Sequence, residues 1–173
     1  ETQRIAAAVA MQRARALLAQ HSDAKEELER GLTAIKQSLM LRPRDAGSLL
    51  LLSQLLALSA QRLTQDGRSP EDAFRQAQDA LQRAKEASPR DGDVYLALAE
   101  LAAVKGDWQG RSQLPAKRTL TAGDKAVTRA LSLHPSRAAA MAVRGKLQIL
   151  TARSETHRRP RGRLADLGAQ AIR

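Results

Sequence analysis

An all-α solenoid of antiparallel helix pairs, about seven to eight helices long, is the fold class this sequence predicts, and three observations predict it. The first is a ruler: Pro43-Arg44-Asp45, Pro89-Arg90-Asp91 and Pro135-Ser136-Arg137 stand at equal intervals of 46 residues, the mark of a tandem repeat. The second is what the ruler aligns without any gap. Small residues form columns (Ala34, Ala80 and Ala126; Ser38, Ala84 and Ala130; Gly31, Ala77, Gly123 and Ala169), and so do large apolar ones (Ile35, Leu81 and Val127; Leu49, Tyr95 and Met141). The third is composition. With 43% hydrophobic but only 2% aromatic residues, the core must be built from Ala and Leu. Both are strong helix formers, and Ala lets helix backbones approach closely.

The elements follow in order. Residues 1–20 read as a helix with Ile5, Ala8, Val9, Met11, Leu17 and Leu18 on a broad apolar face. His21-Ser22-Asp23 breaks it, and Asp23 with Glu26 forms a capping-box-like start to a helix over 24–41. Pro43 prevents its continuation, because proline lacks an amide donor and restricts the residue before it. Asp45 can cap a third helix over 46–64, apolar almost all round between Leu49 and Leu56, so neighbours must cover it on several sides. Ser69-Pro70-Glu71-Asp72 opens a fourth over 70–87, with a serine cap, proline in the first turn and acids against the positive helix end. Asp91 or Asp93 caps a fifth, carried through Val94, Leu98, Leu101 and Val104 and expected to break at Gly106-Asp107-Trp108-Gln109-Gly110. A sixth fits 116–133 and a seventh 136–152. The basic stretch from Ser154 to Arg163 contains Pro160, and an eighth helix is expected from about 162. Glu1 falls inside a repeat and Arg173 lies eight residues before the next expected proline, which reads as a piece of a longer protein.

The net charge of +11 is unevenly placed. Residues 1–102 carry 14 basic and 14 acidic side chains, and residues 103–173 carry 15 and 4. A basic half attracts nucleic acid, anionic lipid or an acidic protein; the plainer reading is a solvated, arginine-rich helix surface. The absence of cysteine rules out disulfides and thiolate metal sites and is compatible with a reducing, cytoplasmic setting. No run of 18 apolar residues is present, so no membrane span is expected, and the first residues show no signal-peptide pattern.

Each unit, a helix–turn–helix closed by proline, resembles the tetratricopeptide repeat (TPR) family, and the resemblance covers the whole chain. The family's small positions in the second helix match Gly31, Ala77 and Gly123, and then Ser38, Ala84 and Ala130. Its bulky positions match Ile35, Leu81 and Val127, and, in the first helix, Leu49, Tyr95 and Met141. The first-helix small position matches Ser53, Ala99 and Gly145. The departures are a period of 46 instead of about 34 residues, Arg144 in place of a leucine, and few of the aromatic signature residues. The resemblance implies a right-handed TPR-like superhelix forming a single repeat domain over 1–173, with units at about 1–44, 45–90, 91–136 and a truncated 137–173. In overall style such Ala/Leu/Arg-rich arrays look like those appended to bacterial signalling proteins, including serine/threonine protein kinases.

Catalytic chemistry is not visible. No phosphate-binding glycine loop with its Lys and Ser/Thr occurs, and no kinase catalytic signature. His21, His134 and His157 lack metal-ligand spacing and read as helix-end or surface histidines. Asp91 and Asp93 read as capping residues. No cofactor and no metal is expected. In the family the first helices line a concave face. By position the groove residues here are Arg4, Leu50, Gln54, Asp93, Leu96, Glu100, Ala142 and Lys146, or else these simply cover neighbouring helices. The Lys/Asn clamp with which some family members grip carboxylate tails is not expected, because the matching positions are mostly Leu, Ala and Asp. The leading expectation is therefore a non-catalytic module that holds a protein or peptide. The alternative is a nucleic-acid or polyanion binder using the basic half, densest at Arg158, Arg159, Arg161 and Arg163. Scarce aromatics weigh against that alternative, since single-strand binders stack bases on them.

Overall fold

The computed structural model describes residues 1–156, and helices make up 82% of them. Seven helices follow one another: α1 (Thr2–Ala19), α2 (Lys25–Leu41), α3 (Ala46–Gln65), α4 (Glu71–Ala87), α5 (Gly92–Arg111), α6 (Lys117–Leu133) and α7 (Ala138–Thr156). Among the described residues there is no strand. The expected eighth helix lies outside them. Element boundaries repeat with the proline ruler, both ends of α2, α4 and α6 being displaced by 46 residues from one to the next, as are those of α3 and α5.

That regularity corrects one expectation. The Gly106–Gly110 stretch does not break α5, which continues to Arg111 as α3 continues to Gln65. Gly106 is buried where the Leu120 side chain lies against the helix, leaving no room for a Cβ. It is a contact glycine inside a helix. Trp108, half-buried on the same turn, meets Phe74 with ring centroids 5.6 Å apart, an aromatic pair that ties α5 to α4.

Capping follows the sequence closely at two of the long helices. The Ser48 amide donates to the Asp45 carboxylate at 2.9 Å, and the Asp93 amide donates to Asp91 at 2.8 Å, so Asp91 is the cap and Asp93 sits in the first turn. The Ser48 side chain and amide, with Arg4 and Arg42 nearby, hold the Asp45 carboxyl below its ordinary range against a smaller opposing effect of burial. At α2 the expected reciprocal box is only half formed: Asp23 accepts from the Lys25 amide at 2.9 Å, while Glu26 pairs with Arg30. The turns inside each pair share one device. His21, Gly67 and Gln113 all have positive φ, of 53°, 69° and 57°. The amide after each reaches back to a carbonyl five residues earlier, from Ser22 to Leu17, Arg68 to Leu63 and Leu114 to Gln109, at 2.7–2.9 Å. This is the left-handed C-terminal turn that ends helices, placed at the same repeat position three times.

The core is a recurring interlock. Gly31 on α2 lies against Ala10 of α1 and Leu55 of α3, and Gly123 on α6 lies against Ala102 of α5 and Leu147 of α7. Both glycines meet a residue 21 positions earlier and a leucine 24 positions later. Between them Ala77, Leu56 and Leu101 share one buried cluster and keep the same two offsets. A small residue at mid-helix lets the helix approach its own partner and the next pair together. The columns Ile35, Leu81 and Val127, and Ala84 and Ala130, are buried. Ala80 is buried, but Ala126 is only half-buried.

The column Leu49, Tyr95 and Met141 is covered to very different degrees. Leu49 is 1% exposed against Ala84 and Val94. Tyr95 is half-buried in the cluster that holds Ala130 and Ala140, the repeat counterparts of Ala84 and Val94. Met141 is 53% exposed.

Consecutive helices pack in antiparallel pairs, and the first helices also touch one another in series, α1 on α3, α3 on α5 and α5 on α7. The backbones of the second helices α2, α4 and α6 stay apart from each other. An inner row in contact and an outer row splayed apart make a curved α-solenoid with the first helices on its inner side.

Candidate groove on the inner face

Four first helices build the groove. Its most enclosed part is a recess of about 300 Å³ bounded by Arg15 of α1, Gln54 and Gln61 of α3, Glu100 of α5 and Lys146 of α7, over an apolar wall that includes Leu58 and Val143. Gln54, Glu100 and Lys146 occupy one repeat position in three successive units. The helix period that buries Ala97, Leu101 and Leu147 turns the residue before or after them toward the groove.

Glu100 sits half-buried among these groups. Burial pushes its carboxyl above the ordinary range, and Arg15 and Lys146 oppose that rise. Neither cation closes a direct ion pair with it among the described residues. A carboxylate held this way is poorly solvated and gains from any donor brought into the groove.

The remaining sequence-derived groove residues fall elsewhere. Leu96 is 6% exposed and belongs to the core cluster with Ala99 and Ala140, so it is a packing residue. Leu50 is half-buried against the cluster around Phe74. Arg4 pairs with Glu1 at 2.6 Å and lies over Gly47 beside Asp45, at the start of α3. Asp93 pairs with Arg137, linking the start of α5 to the turn before α7. Arg4 and Asp93 thus tie successive first helices together at one rim. Ala142 lines a shallower neighbouring recess with Asp107, Ile149 and Arg153. Arg158, Arg159, Arg161 and Arg163 lie outside the described residues.

Arg15 and Gln61 escaped the sequence reading. Their signal was present: Arg15, Gln61, Asp107 and Arg153 are 46 residues apart in turn, a polar column as regular as the apolar ones. Among the described residues no group of three or more His, Asp or Glu side chains stands close enough to hold a metal ion, and no helix is long and apolar enough to cross a membrane. His134 ends α6 with its ring over Gly92, a helix-end packing role. Comparison with protein-family models, with curated proteins and with solved structures returns no match.

Proposed function

We propose that this chain is a non-catalytic, TPR-type interaction module that holds a peptide or a helix of another protein along the inner face. The observation that supports the reading most directly is the recess spanning α1, α3, α5 and α7, in which Gln54, Glu100 and Lys146 present three different polar groups in step with the repeat, beside apolar walls. Such a surface offers burial for affinity and spaced hydrogen-bonding groups for register. The module's place in a larger bacterial signalling protein, such as a serine/threonine kinase, is proposed on repeat style alone, and its cytoplasmic setting on the lack of cysteine.

Panning a displayed random-peptide library against the chain tests this, followed by amide chemical-shift mapping of the selected peptides. Shifts concentrated at Gln54, Glu100 and Lys146 are expected, with Glu100→Lys selecting a different peptide set. Selections in which no peptide shifts Gln54, Glu100 or Lys146, or that are indifferent to Glu100→Lys and Lys146→Glu, overturn the reading.

A further inference from the structure

On the opposite side of the molecule, where the outer helices splay, α4 and α6 flank a furrow of about 620 Å³ floored by α5. Its chemistry is arranged in three stripes. On α6 the sequence positions 118, 122, 125 and 129 place Arg118, Ala122, Lys125 and Arg129 along one face. On α4 the facing wall is Gln78, Gln82 and Lys85, and the floor on α5 is Tyr95, Leu98, Ala102 and Lys105. Five cations therefore surround a floor of Leu and Ala, and among the described residues no acidic side chain lines it. None of the five is in an ion pair among the described residues. Lys105 donates to Gln78 at 3.2 Å, and the Arg129 guanidinium lies 5.8 Å from the Tyr95 ring centroid.

The repeat supplies an internal control. One unit earlier the corresponding residues are Asp72 for Arg118, Asp79 for Lys125 and Leu39 for Lys85, and Leu39 packs against the core cluster of Leu49, Ala84 and Val94. The same fold thus forms with opposite or apolar chemistry at these three positions, so the packing of the solenoid does not require Lys85, Arg118 or Lys125 to be cations; Arg129 matches Arg83, which donates to the Pro43 carbonyl at 3.0 Å.

We infer that this furrow is a second docking surface, and that its occupant is an acidic amphipathic helix of a partner protein. Charge complementarity selects an anionic partner. The apolar floor selects one with an apolar face: a phosphate chain would leave Leu98, Ala102 and Ala122 covered by charge, whereas a helix with leucines on one side and carboxylates at its flanks matches floor and rims together. Dimensions agree, since the stripe from Arg118 to Arg129 rises about 16 Å, roughly three helical turns. Tyr95, the one aromatic lining the furrow among the described residues, has its hydroxyl bonded to the Pro89 carbonyl at 2.9 Å and its ring beside Arg129, an arrangement unlike the open stacking platforms of single-strand binders. The surface shares only the buried Leu101 with the lining of the inner recess, so either can fail without the other.

The test is fluorescence anisotropy with a labelled peptide of about 18 residues, carrying Leu at helical spacing and Glu at the flanking positions. Polyglutamate, heparin and duplex DNA serve as competitors, at low and at physiological salt. Two variants of the full chain localise the binding. Arg118→Asp with Lys125→Asp restores the acids found one unit earlier, and Ala122→Trp fills the furrow without changing charge; all three positions are exposed, and circular dichroism checks the fold. The expected result is binding of the amphipathic peptide that each variant weakens roughly tenfold or more, with polyglutamate weaker than the peptide by a similar factor. Absence of binding at low salt, equal binding of polyglutamate, tighter binding of heparin or DNA that ignores Ala122→Trp, or binding that survives both variants would each overturn the inference.

Discussion

Glu100 carries the largest consequence of any single side chain in the inner groove. Its carboxyl is raised by burial, so between the unfolded and folded pKa values the folded chain binds more protons than the unfolded one. Stability must then fall as pH rises through that window, and the fold carries an unfavourable contribution above it. Glu100→Gln keeps the shape and removes the charge. It is expected to raise the urea midpoint at pH 7 and to leave it nearly unchanged at pH values below the ordinary glutamate range. A substitution equally stabilising at both pH values would show that the carboxyl is not shifted on folding, and one destabilising at pH 7 would show that Arg15 and Lys146 more than offset the cost of burial. A bound ligand that donates to Glu100 should reverse the preference, making the glutamate form the tighter binder.

Among the elements, the turns within pairs give the clearest test, because one backbone conformation recurs with three side chains. Gly67 adopts the left-handed region freely, whereas Gln113 is held there against a penalty of about 1–2 kcal/mol. Glycine's freer unfolded chain offsets part of that, so Gln113→Gly should stabilise the chain by about 0.5–1 kcal/mol in a denaturant titration; a loss of stability would mean that the exposed Gln113 side chain makes a contact worth more than the strain. The three equivalent turns also show what was readable from the sequence. Pro43, Pro89 and Pro135 mark helix ends through local chemistry, and the seven helices follow from them with boundaries close to those expected. Gly106 reads as a breaker in the sequence because a glycine that breaks a helix and one that admits a neighbour's leucine look alike within their own segment. Only the ruler, carried from Gln65 to Arg111, separates them. Leu55, Leu101 and Leu147, all buried, likewise declare themselves as a column only when every position is compared at the 46-residue offset. The inner recess was legible at Gln54, Glu100 and Lys146. It was not legible at Leu96, Arg4 or Asp93, because periodicity fixes the side of a helix a residue occupies but not whether a neighbouring helix or an ion partner already covers it.

Over the whole molecule, stability passes between neighbours, since each helix pair is completed by the next. Ala80→Leu inserts bulk at a site 3% exposed and should cost about 1–3 kcal/mol. Native-state hydrogen exchange should show the lost protection spreading from α4 into α3 and α5. Ala126→Leu, at the half-buried equivalent position beside the outer furrow, should cost less. Loss confined to α4 would mean that the pairs unfold as independent units. The interlock at Gly31, Ala77 and Gly123 bears on how such a chain can change length. Its rule refers only to relative position, 21 residues back and 24 forward, and never to a particular address. A duplication or deletion of one whole period, by unequal crossing-over at any point along the array, leaves every surviving small residue between the two neighbours it requires. A change of any other size breaks the offset of every contact that spans it. The array is therefore free to vary in the number of its units while being nearly forbidden to vary within one, and its reach can be inherited as a count.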